Sequence, residues 1–77
     1  MTEEKLLKRI VVDPKIILGK PVIKGTRLTV EIIIEKIAHG ATTEDLKRDY
    51  PFLTEDDIRA ALLYAAKRLA CEEVYVV

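Results

Sequence analysis

Residues 13–30 read DPKIILGKPVIKGTRLTV, and this stretch decides how the chain divides. Pro14, Pro21, Gly19 and Gly25 cut short apolar pieces apart, and Lys15, Lys20, Lys24 and Arg27 stand among them. Asp13-Pro14 ends an extended run expected over Leu6–Val12 through Ile10, Val11 and Val12. Gly19-Lys20-Pro21 ends a second strand-like piece, Ile16–Leu18. Lys24-Gly25 ends a third, Val22–Ile23. Pro21 lacks a backbone donor, which points to an edge strand or an arm for Val22–Ile23. Gly25 takes a positive φ in a turn without steric cost.

Downstream the period changes to that of helices. Thr29 is the expected N-cap of a first helix. Val30, Ile33, Ile34, Ile37 and Ala38 form its apolar stripe, and His39-Gly40 its stop. Thr42 or Thr43 caps a second, Glu44 to about Asp49, with Leu46 inward and Pro51 beyond its end. Thr54 caps a third, whose first turn holds Glu55, Asp56 and Asp57, where carboxylates complement the helix dipole. Its expected inner stripe is Ile58, Ala61, Leu62, Ala65 and Leu69, with Leu63, Ala66 and Ala70 as a second strip. The reading is one mainly α domain over 1–77. It has a β-hairpin arm (1–28), a three-helix, helix-turn-helix unit (29–71) and a strand-like tail (72–77). A basic, turn-rich arm ahead of three helices suits a small regulator and not an enzyme core.

With 77 residues, 49% of them hydrophobic, the chain has more apolar matter than so small a monomer easily hides. A chain of this size buries only about 60% of its extended surface. A homodimer or higher oligomer is the expected remedy. Equal numbers of basic and acidic residues, 13 each, conceal an asymmetry. Residues 1–27 carry seven basic against three acidic side chains, a net of +4. Residues 28–77 carry six against ten, a net of −4. The first part suits a polyanion and the second a basic partner. A lone Cys71 excludes an internal disulfide. Charges at Glu3, Glu4, Lys5, Lys8 and Arg9 leave no signal-peptide core, and the apolar runs are too short for a membrane span, so the expected location is cytoplasmic.

Catalytic readings find little footing. Gly19 to Thr26 imitates a phosphate loop, but its glycines are one residue too far apart and Thr26, not Lys, follows the second. Glu44, Asp45, Asp49, Glu55, Asp56 and Asp57 invite comparison with a metal nuclease. Most of them sit in helix first turns, where carboxylates cap and balance dipoles. His39 reads as a helix-end residue, and Cys71 lacks a second His to activate it. No nucleophile–base–acid set, metal or cofactor is implied. For nucleic acid, the second and third helices form a helix-turn-helix pattern, yet the reading end of the third is Thr54-Glu55-Asp56-Asp57 with only Arg59 basic. The arm residues Lys15, Lys20, Lys24 and Arg27 are the better DNA-facing candidates.

Asp13-Pro14, GKPVI (Gly19–Ile23), Gly25-Thr26-Arg27, Val30, Gly40, Tyr50-Pro51 and the run Asp57-Ile58…Ala61…Tyr64-Ala65 resemble domain-of-unknown-function family 433, small prokaryotic proteins regarded as VapB-like antitoxins. The resemblance covers about residues 9–70. It implies a homeodomain-like three-helix fold with an N-terminal β-hairpin, and a partner, a neighbouring PIN-like ribonuclease that the antitoxin restrains. It carries over no catalytic residues. Gly19, Lys20, Pro21, Gly25, Thr26 and Arg27 carry over as motif positions to which the resemblance assigns no role. The resulting expectation is a non-enzymatic antitoxin-like regulator, with a DNA-binding repressor or a structural dimerisation module as alternatives. Glu55, Asp56, Asp57, Glu72 and Glu73 are the expected carboxylates toward a basic partner. Val74, Tyr75 and Val76 are expected to add a strand to its sheet.

Overall fold

The computed structural model describes residues 2–71, and over them the chain is mainly α with a short two-stranded hairpin near its start. The first element, α1 (Glu3–Leu7), is a helix where the sequence reading expects the start of a strand. Thr2 caps it by accepting from the Lys5 N–H at 3.2 Å, and Glu3 and Glu4 fill its first turn. The β-branched run begins only at Ile10, so extended structure is confined to β1 (Ile10–Val11). β1 pairs antiparallel with β2 (Val22–Ile23), Ile10 opposite Ile23 and Val11 opposite Val22.

Ile16–Leu18 is not a strand. Asp13 turns the chain back, its side chain accepting from the Lys15 N–H at 2.9 Å and its carbonyl from the Ile16 N–H at 2.9 Å. A 3-10 turn, Ile17–Gly19, follows, with φ of 45° at Ile17, 55° at Leu18 and 82° at Gly19. Consecutive left-handed residues reverse the chain so that it can re-enter alongside β1.

β2 is flanked on both sides, by β1 and by a bridge between Val22 and Thr29, so it is no edge piece. Pro21 stands just before the strand, where its missing donor is not needed, and its carbonyl accepts from the Val30 N–H at 2.9 Å. Both β2 residues are buried.

The three-helix unit follows the caps. α2 (Val30–Ala38) starts at Thr29, whose hydroxyl accepts from the Ile32 N–H at 3.1 Å. It ends at His39 and at Gly40, with φ 95°. α3 (Thr43–Asp49) opens with a capping box between Thr42 and Asp45. The Tyr50–Leu53 turn, with Pro51 at its first inner position, closes with Leu53 N–H to Tyr50 carbonyl at 2.9 Å. α4 (Glu55–Ala70) opens with a second box between Thr54 and Asp57. Ile23, Leu28, Val30, Ile33, Leu46, Leu53, Ile58 and Ala61 make the core.

One stripe is corrected. On α4, Ile58 and Ala61 are buried with Ala60, but Leu62 is 44% and Leu69 65% exposed. At 1.5 Å per residue, α2 spans about 14 Å and α4 about 24 Å, so α2 cannot cover the whole length of α4.

Asp45 offers a pH test. Its bond from the Thr42 backbone N–H, and then its contact with Arg48, hold its carboxyl below the ordinary value of 3.8. A lowered folded-state value means that its stabilisation is complete above 3.8 and is lost as pH falls through the lowered value. Thermal melts over descending pH are expected to fall less steeply in Asp45→Asn than in wild type. Equal slopes would remove Asp45 from the acid limb.

Candidate functional site

The Gly25-Thr26-Arg27 loop builds one wall of a broad, open concavity. Gly25 has φ 80°. The Thr26 hydroxyl donates to the Ile23 carbonyl at 2.8 Å and accepts from the Leu28 N–H at 3.0 Å. This pins the loop, buries Leu28 and leaves Arg27 exposed beside it. α2 contributes Ile32, 38% exposed, and the Tyr50–Leu53 turn contributes Phe52, 52% exposed. The Tyr50 and Phe52 rings are tilted with centroids 6.1 Å apart, and the Lys36 ammonium lies 5.7 Å from the Tyr50 ring centre. Ile16 completes an open concavity of about 870 Å³ in which Arg27 is the single charged lining residue among the described residues. Two residues on from Ile16, Leu18 is 95% exposed in its left-handed conformation. An apolar side chain held out in solvent on strained backbone is costly in two ways, and exposed apolar groups that cluster mark contact surfaces.

The basic candidates do not share one face. Lys20 lines the α2–α4 groove and pairs with Glu31 at 3.0 Å. Lys24 lines a concavity beside α1, and Arg27 lines the one just described. Lys15 is exposed on the Asp13 turn, and Arg59 is exposed on α4.

The acidic candidates are already engaged. Glu55 is 3.5 Å from Lys47, Asp56 is 3.7 Å from Arg9, and Asp57 is 3.1 Å from Arg9. Asp57 is also 7% exposed, with its other oxygen accepting from the Thr54 N–H at 3.0 Å. Glu72, Glu73, Val74, Tyr75 and Val76 lie outside the described residues. Among the described residues, no group of three or more His, Cys, Asp and Glu side chains is placed to hold a metal, and no helix is long and apolar enough to cross a membrane.

Sequence reasoning missed Leu18, Ile32 and Phe52. Ile32 falls off the Val30–Ile33–Ile37 stripe, a signal that was readable. Phe52 follows Pro51 in a turn, where a large apolar residue is out of place. Nothing in the sequence announces the left-handed Leu18.

The architecture is that of a small, mainly α domain, a three-helix unit led by a β-hairpin arm. The family model described as a protein of unknown function (DUF433) matches residues 10–65, and the chain belongs to that family. Among solved structures it is similar to a DUF433 member protein from Anabaena variabilis ATCC 29413, crystallised at 2.00 Å resolution. The identity is 28% and the TM-score 0.78, over 87% of this chain and 66% of that one. This chain therefore spans just under two thirds of that protein's length. No curated protein matches the chain.

Proposed function

We propose that the chain is a non-enzymatic, antitoxin-like regulator, a homodimer or higher oligomer that binds and restrains a PIN-like ribonuclease. The observation that carries this reading is the apolar face around Arg27, where Ile32 and Phe52 stand exposed, with Leu18 exposed two residues on from Ile16 of its lining. Aromatic and arginine side chains at the centre of an apolar patch are the usual anchors of a protein interface, and Tyr50, Phe52 and Arg27 supply them. The partner class comes from the family resemblance. Self-association is supported by the open strip of α4 at Leu62, Ala66 and Leu69. The second reading, a DNA-binding repressor without a toxin, is favoured by a separate group of lysines near α1.

The test is co-purification with the product of the neighbouring gene, expected to be a PIN-like nuclease, with stoichiometry from light scattering and an RNA-cleavage assay. Wild type is expected to co-purify and to suppress cleavage. Ile32→Glu with Phe52→Glu is expected to weaken binding about 100-fold or more, since each anchor is worth about 2 kcal/mol. Both side chains are exposed, so the fold survives the change. Undiminished cleavage in excess wild-type chain would overturn the reading.

A further inference from the structure

The concavity between α1 and the hairpin is lined by Lys5, Lys8, Arg9, Lys24 and Asp57. Local structure sets its charge. Lys5 and Lys8 are three residues apart and Arg9 four from Lys5, so α1 and its end turn the three toward one side. Lys24 is tied to them by the hairpin, its N–H donating to the Arg9 carbonyl at 2.8 Å. Among the described residues Asp57 is the one acid lining the concavity, and both its oxygens are engaged. One oxygen accepts from Arg9 at 3.1 Å and the other from the Thr54 N–H at 3.0 Å. Lys5, Lys8 and Lys24 have no carboxylate within 4.0 Å among the described residues.

Like charges gathered this way repel one another unless an outside anion joins them. The chain carries equal numbers of acids and bases, so this local excess is an arrangement and not a bulk property. Point-like ammonium groups spread over an open concavity fit successive phosphates on a strand better than one small anion. The acidic start of α4 denies the same role to the usual reading helix. Lys5, Lys8 and Arg9 lie ahead of the family-matched segment 10–65, and Lys24 and Asp57 lie within it.

We infer that this concavity docks the phosphodiester backbone of a nucleic acid, with Lys5, Lys8 and Lys24 contacting phosphates and Arg9 held by Asp57 as its floor. The site is separate from the apolar face around Arg27, and it stands or falls independently of nuclease binding.

The test is fluorescence anisotropy of the full chain with a labelled DNA duplex and, in a second arm, a labelled single-stranded RNA of equal length, over a salt series. Two triple variants remove the same charge. One is Lys5→Ala, Lys8→Ala, Lys24→Ala. The other is Lys15→Ala, Lys20→Ala, Arg68→Ala, away from the concavity. Arg9 is left intact in both, and circular dichroism checks folding. The first variant is expected to lose binding and to flatten the log K against log salt slope by about two to three units, while the second binds as wild type. The tighter-binding probe identifies the natural strand. Equal loss in both variants, a greater loss in the second, or no binding of either probe by wild type would overturn the assignment.

Discussion

Asp57→Ala is expected to lower stability by about 2–4 kcal/mol, the largest single-residue loss away from the apolar core. Asp57 closes the capping box of α4, receiving the Thr54 N–H at 3.0 Å while its own N–H donates to the Thr54 hydroxyl at 3.1 Å. Loss of such a cap costs about 1 kcal/mol. Its second oxygen takes the Arg9 guanidinium at 3.1 Å in a part-buried setting, and losing a hydrogen bond to a charged group costs about 1.5–3 kcal/mol more. Arg9 directly precedes β1, so this bond ties the hairpin to the long helix, 48 residues away. In a domain of this size the loss corresponds to a melting temperature lower by roughly 10–25 °C. Asp45→Ala is the matched control. It breaks the same motif at a less buried site, without the bond to a distant element, and is expected to lose much less. Urea or thermal unfolding of the two variants decides. Similar small shifts in both would mean that the Arg9–Asp57 bond holds nothing together.

The three-helix unit was legible because its boundaries are local. Thr29, Thr42 and Thr54 each cap with their own side chain within three residues, and Gly40 and Pro51 punctuate the gaps. α1 was not legible. It has five residues, too few to stand alone, and it is held by packing on α4 and by the 3.1 Å pair between Glu3 and Lys67. Ile16–Leu18 reads as a strand by composition, but the hydrogen bonds of Asp13 and the permissive Gly19 turn it instead. Leu62 and Leu69 read as core because periodicity gives the width of an apolar surface and not the length of its neighbours.

The candidate site was legible only in part. Arg27, Lys24 and Lys20 stood out as residues, yet the hairpin and its two flanking turns send them to three different concavities. The carboxylates at the start of α4 stood out as well. Their engagement by Arg9 and Lys47 depends on contacts that no local pattern contains.

Leu18→Gly is expected to raise stability and to weaken partner binding. Leu18 sits at φ 55°, ψ 31°, a conformation that costs an L-residue about 1–2 kcal/mol and glycine nothing. The side chain is 95% exposed, so its removal gives up almost no packing within the chain. Glycine also loosens the unfolded chain, which returns about 0.4–1 kcal/mol of the gain. The net is a stabilisation of roughly 0.5–1 kcal/mol, a few degrees in melting temperature. Ile17 is strained too, but it is half-buried, and the same change there would lose packing. In the proposed complex the sign reverses. Burying a leucine is worth about 1.5–3 kcal/mol, so its loss weakens binding about 10- to 100-fold. A residue serving only the fold would move stability and binding in the same direction. Melting temperature and affinity for the proposed PIN-like partner, measured on one preparation, therefore separate the two roles. A lower melting temperature would show that the turn needs its leucine for the fold, and unchanged affinity would show that the exposed side chain is not an anchor.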